Sequence, residues 1–143
     1  MVRSFLRAGV TGALALGFLM GVALTAETRT ASLASYQWKN RVLVVLAPTE
    51  QDAGLIAQRR IFEQNASGMA ERQIVLIEAA ADDERSRALR RQFSGGDKTF
   101  KVVLVGKDGN AAVASDKPLA AAELFGRVDA MPMRRDEMKR REK

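Results

Sequence analysis

The 143-residue chain contains no cysteine and no histidine. The first absence removes every reaction that runs through a thiolate, the form in which cysteine attacks or ligates. It also rules out disulfides and the attachment of a lipid to an N-terminal cysteine. The second absence removes a Ser-His-Asp triad. Together they leave zinc and haem without their usual protein ligands. Carboxylates alone can hold calcium, but no run has the D-x-D-x-D spacing that such a loop uses. No metal and no cofactor are therefore expected.

What is present is charge with a basic bias. Lys and Arg number 23 against 17 Asp and Glu, a net +6 with a sequence pI near 10.2. That balance suggests affinity for an anionic protein or envelope surface and says nothing about fold. Nucleic acid is not expected as a partner.

Residues 1–26 read as a signal peptide. Arg3 and Arg7 form a positive n-region, and "AGVTGALALGFLMGVALTA" (8–26) carries no charge. That order is the signature of a secretory signal, with Ala23 and Ala26 as cleavage points. The alternative is an uncleaved anchor, because the run nearly reaches the ~20 residues that span a bilayer; its glycines and threonines dilute the hydrophobicity. Only in that case is membrane contact expected. Either way the remainder is expected to be exported, periplasmic or extracellular. Removal takes Arg3 and Arg7 with it, leaving 21 basic against 17 acidic residues, a net +4. A chain of that size buries well over half of its unfolded surface and needs no staples.

After a linker at 27–35, three short aliphatic runs stand out: "RVLVVLAP" (41–48), "RQIVLIEAA" (72–80) and "FKVVLVGK" (100–107). Such runs suit strands buried on both faces. "TEQDAGLIAQRRIFEQ" (49–64) is of helix length, with Leu55, Ile56 and Phe62 on an inner face. "DDERSRALRRQF" (82–93) has its acids first and its arginines later, as the helix dipole prefers; Gly95 and Gly96 then end it. "KDGN" (107–110) predicts a hairpin with a type I′ turn. Beyond it, Ala121, Leu124, Phe125 and Val128 mark one stripe of a helix, with Pro118 in its first turn.

The order is β-α-β-α-β-β-α, parallel strands with crossover helices and then an antiparallel hairpin. That is the α/β thioredoxin-like arrangement, here with a short extra C-terminal helix and a charged tail at 139–143. Thioredoxins and peroxiredoxins act through a thiolate, and this chain has none. Thr49-x-x-Asp52 stands after the first strand, where peroxiredoxin-like proteins carry Thr-x-x-Cys. Thr49 and Asp52 are the catalytic candidates, with Asp52 as a general base. The competing structural reading is a capping box, Thr49 at the cap and the acid at N3. "GKDGN" lacks the P-loop spacing and reads as a turn, and "NAS" (65–67) as a glycosylation acceptor is too short to carry weight.

Three stretches, "YQWKNRVLVVLAP" followed by Asp52 and Gln58, "LVGKDG" (104–109) and "LFGRVDAMPMRRDEM" (124–138), resemble domain-of-unknown-function family 4174 over residues 36–138. Related domains occur in vertebrate extracellular matrix proteins, including sushi-repeat-containing ones, described as peroxiredoxin-like. The resemblance implies a secreted thioredoxin-like domain without an established activity. Within its most specific stretch, Pro132 is placed to start the last helix, and Met131, Met133 and Met138 to pack it. Arg134 and Arg135 either pair with Asp129, Asp136 or Glu137, or offer bidentate donors to an anionic partner. Two functions follow. One is a non-catalytic binding module that presents Lys107, Asp108, Arg134 and Arg135. The other is a cysteine-independent enzyme using Asp52 with Lys107 or an arginine nearby.

Overall fold

A computed structural model describes residues 33–143. The targeting segment 1–26, the start of the linker and the candidate cleavage points lie outside the described residues. Among the described residues no helix is long and apolar enough to cross a membrane.

Strand β1 (Arg41–Leu46) is buried at every position and is the axis of the domain. It pairs in parallel with β2 (Ile74–Ala79) and antiparallel with β3 (Lys101–Val105). β4 (Ala111–Ser115) completes the order β2-β1-β3-β4. The chain is thus α/β and thioredoxin-like, as the order of the runs implied. One expectation is corrected, because β3 runs against β1, so only the β1–β2 connection is a parallel crossover. Another concerns β2, an edge strand that is only half covered.

Alternation of side chains along β1 divides the core in two. Leu43, Val45 and Ala47 meet Leu55, Met69, Leu124 and Val128, while Val42, Val44 and Leu46 meet Leu89. The first face is covered by α1 (Ala53–Gln64), α2 (Ala66–Glu71) and α4 (Ala121–Asp129), the second by α3 (Glu84–Gln92). Each fully buried Leu contributes about 1.5 to 3 kcal/mol. The Leu124–Val128 stripe of α4 faces inward as its spacing requires, with Phe125 half-buried beside it.

Local chemistry explains the remaining boundaries. Asp52, not Thr49, caps α1: its Oδ1 accepts from the Gly54 and Leu55 N–H groups at 2.9 and 3.1 Å. Thr49 is exposed and contributes only its carbonyl, which accepts from the Asp52 N–H. The helix predicted from Thr49 therefore starts at Ala53. Its inner face holds Gln58 in place of Ile56, which is 39% exposed. Gln58 is fully buried, and its amide both accepts from the Leu119 N–H (2.7 Å) and donates to the Leu119 carbonyl (3.1 Å). That pair ties α1 to the approach of α4 and satisfies two groups that would otherwise be costly to bury. Asn65 interrupts the helical run and separates α2, which the sequence reading lacked.

α3 ends in a Schellman motif whose left-handed residue is Ser94 (φ 53), with Gly95 N–H donating to the Arg90 carbonyl at 2.7 Å. A Cβ at Gly95 would lie 2.5 Å from Leu46 Cδ1, so a larger residue there displaces the end of that side chain. The hairpin is real, but only Gly109 has positive φ (85°). Gly109 N–H donates to the Gly106 carbonyl, a type I turn with a left-handed third residue in place of type I′. Pro118 precedes α4 instead of entering its first turn. α5 (Pro132–Arg141) has Pro132 at its first position and absorbs most of the predicted tail.

Replacing Asp52 with Ala is expected to cost about 1 kcal/mol of unfolding free energy. Thr49→Ala is expected to stay within about 0.5 kcal/mol. Denaturant titration of the two variants checks which residue is the cap.

Candidate functional site

The catalytic candidate and the basic candidates fall at opposite ends of the sheet. Asp52 follows the C-terminal end of β1. Lys107 follows β3, whose end pairs with the start of β1 through Val42↔Val105. Some 17 Å of strand separates the two ends at the usual rise per residue. Asp52 therefore has no Lys107 beside it, and its Oδ1 is occupied by its own helix. The Asp52–Lys107 pairing that the enzyme reading offered is absent, and among the described residues Asp52 makes no ion pair with an arginine.

The N-terminal end of β1 holds a cluster of charges beneath α5. Arg41 opens β1 and is 1% exposed. Its Nη1 donates to the Arg72 carbonyl at 2.9 Å, and both Nη atoms reach the Glu137 carboxylate at 3.3 Å. Lys107 Nζ donates to the same carboxylate at 2.5 Å and to Gln73 Oε1. Arg134, also 1% exposed, donates from Nη2 to Glu71 Oε1 at 2.7 Å, from Nη1 to the Glu71 carbonyl at 3.2 Å, and from Nε to Asp129 Oδ1 at 3.2 Å. Arg72 grips Asp129 with Nε and Nη2 at 3.0 and 2.8 Å, and its guanidinium lies 4.1 Å from the Phe125 ring centroid.

Arg134 and Glu137 are three apart on α5, and Arg141, one turn on, donates to the Glu71 carbonyl at 3.3 Å. These spacings put all three on one helical face. "MPMRRDEM" is therefore a docking element: Met131 packs on the core, Pro132 starts the helix, and Arg134 and Glu137 anchor it. This corrects the expectation that Arg134 is presented to a partner. Lys107 is likewise turned to Glu137, leaving 9% of its side chain exposed. Asp108 organises the turn, accepting from the Asn110 N–H and side-chain amide at 3.0 Å, bonds that hold its carboxyl below the ordinary range. Of the four basic-loop and helix candidates, Arg135 is exposed and makes no side-chain ion pair among the described residues.

Electrostatics follow from the contacts. Burial disfavours the charged form of Glu137, but Lys107 and Arg41 outweigh it and hold its carboxyl below the ordinary range. Asp129 is lowered by Arg72 against a desolvation penalty, with Arg134 adding to the effect. Beside the cluster a groove of about 290 Å³ runs between the hairpin, Ala112 and the head of α5, with Met131 and Met133 in its wall. Among the described residues no group of three or more carboxylates is placed to hold a metal ion. Arg41, Glu71 and Arg72 were not singled out from sequence, and Glu137 was named only as a partner for Arg134 or Arg135; the signal for its inward role was the Arg134–Glu137 spacing.

A family model described as "Domain of unknown function (DUF4174)" matches residues 32–137. The chain belongs to the DUF4174 family. A crystal structure of reduced Plasmodium vivax 2-Cys peroxiredoxin superposes on the DUF4174 domain with a TM-score of 0.52 at 13% identity, covering 74% of this chain and 84% of that one. That likeness concerns the fold. The DUF4174 chain has no cysteine, and Asp52 at the head of its α1 is a helix cap.

Because the folded-state carboxyls of Glu137 and Asp129 are lowered, their contribution to stability is fully present above the ordinary carboxylate range. It is lost as pH falls through their depressed values. Thermal unfolding followed from pH 6 down to pH 3, at or below the usual carboxylate pKa of about 4, is expected to show a steep fall in Tm. Glu137→Gln is expected to lower Tm at neutral pH and flatten that fall.

Proposed function

We propose that this DUF4174 domain is an exported, non-catalytic interaction module whose partner docks on the groove between the hairpin and the head of α5. The observation that carries the reading is the placement of Asp52. Asp52 caps α1 at one end of the sheet, and the chain supplies no thiol or imidazole to replace it. The groove offers apolar walls at Met131, Met133 and Ala112, with Asp108 at its edge. The unpaired Arg135 stands on α5, and Lys139 and Arg140 follow it as exposed cations, which suits a partner with an acidic surface. Export is supported by the charged n-region and uncharged run of residues 1–26.

The absence of cysteine makes the test clean, because any introduced thiol is unique. Ala112→Cys, Met133→Cys and, as a control that does not line the groove, Ser67→Cys are each loaded with a thiol-directed photocrosslinker in the producing cells. The expected result is a discrete adduct from positions 112 and 133 that is absent from 67 and lost when Arg135→Glu is added. Equal adducts from all three positions, or none from the groove, contradict the reading.

A further inference from the structure

Among the described residues three arginines are buried, and their surroundings differ in kind. Arg41 is neutralised by Glu137, and Arg134 by Glu71 and Asp129. Arg90, on α3 and 7% exposed, makes no ion pair among the described residues. Its Nη2 donates to the Ala47 and Ala79 carbonyls at 3.0 and 3.3 Å, its Nη1 to the Ala81 carbonyl at 3.4 Å, and its Nε has no acceptor. A buried guanidinium without a carboxylate is a costly arrangement.

The place matters as much as the residue. Ala47 directly follows β1 and Ala79 ends β2, and the Ala47 N–H donates to the Ala79 carbonyl. From those two ends the chain leaves in opposite directions, β1 into α1 on one face of the sheet and β2 into α3 on the other. In open α/β sheets, the crevice outside the carboxyl ends of two such strands is where ligands bind. Here it forms a cavity of about 320 Å³ that Arg90 lines together with Pro48, Ala81, Arg87, Asp82 and Asp97. That volume is at the small end of ligand sites.

The wall has a definite charge pattern. Arg87 is satisfied by Asp82 at 2.7 Å. Arg90 and Asp97 line the same space, and neither makes an ion pair among the described residues. Asp97 sits in a loop held at both ends, by Gly95 against Leu46 and by Lys101 Nζ donating to the Phe93 carbonyl at 2.8 Å. A simple anion would satisfy Arg90 but face two carboxylates. A molecule that carries a carboxylate and an ammonium group a few atoms apart satisfies both unpaired walls. We infer that this cavity binds a small zwitterion of the α-amino-acid type, its carboxylate on Arg90 and its ammonium on Asp97. The site is separate from the groove at the opposite end of the sheet.

The test titrates the full-length isotope-labelled protein with glycine, acetate and methylamine, read by backbone amide shifts. Glycine is expected to shift the amides of 80–82 and 95–98 in a saturable manner and to bind about tenfold or more tightly than acetate. Methylamine is expected to leave those amides in place. Arg90→Lys is expected to weaken glycine at least tenfold. Asp97→Asn, a change on an exposed loop that leaves Arg90 and its carbonyls intact, is expected to bring glycine down to the level of acetate. Non-saturating shifts with glycine overturn the inference, as does equal binding of glycine and acetate, or glycine affinity unchanged in Asp97→Asn.

Discussion

One carboxylate, Glu137, holds one end of this domain together. Arg41 from β1, Lys107 from the hairpin and, at 3.8 Å, Arg134 from its own helix all converge on it. Two of these cations are almost completely buried, and burying a charge without a partner costs several kcal/mol. α5 has few apolar contacts with which to hold its place. Its methionines are half covered, and Arg134 is its one fully buried side chain. The helix docks because its inward face completes an ionic arrangement that β1, α2 and α4 leave open.

That arrangement gives the two ends of the sheet different characters. At the start of β1 the buried arginines are matched by acids, and the result is a closed, self-sufficient network with a groove beside it. At the far end of β1 the single buried arginine rests on strand-end carbonyls, whose dipoles compensate it only in part. The hydrophobic faces between the two ends are ordinary packing: β1 supplies alternate residues to both, and Gln58 satisfies the one backbone position where α1 meets the approach to α4. The fold is shared with a peroxiredoxin, and here the residue at the head of α1, Asp52, is a helix cap.

Much of the fold was legible because it is written in apolar residues. The three aliphatic runs are strands, and the Leu124–Val128 spacing gave the buried face of α4. Polar decisions were not legible in that way. Periodicity does not tell an inward arginine from an outward one, so Arg134 and Arg135 read alike although one is buried and the other exposed. The capping role passed from Thr49 to Asp52 because either residue type accepts from a first-turn N–H, and only the chain path decides which is in reach. α2 was missed because the break at Asn65 carries no Pro or Gly. The direction of β3 depends on how the loop at 93–100 returns, and no residue in that strand states it.

Whether Arg134 works inward decides how α5 is held. The most direct measurement is the unfolding free energy, together with amide exchange across α5, of Arg134→Gln and Arg135→Gln compared with the unmodified chain. An inward latch predicts a loss of about 3 kcal/mol and faster exchange along α5 for Arg134→Gln, with Arg135→Gln within about 0.5 kcal/mol of the parent. Two variants of equal, small effect, with α5 protected in both, would contradict it.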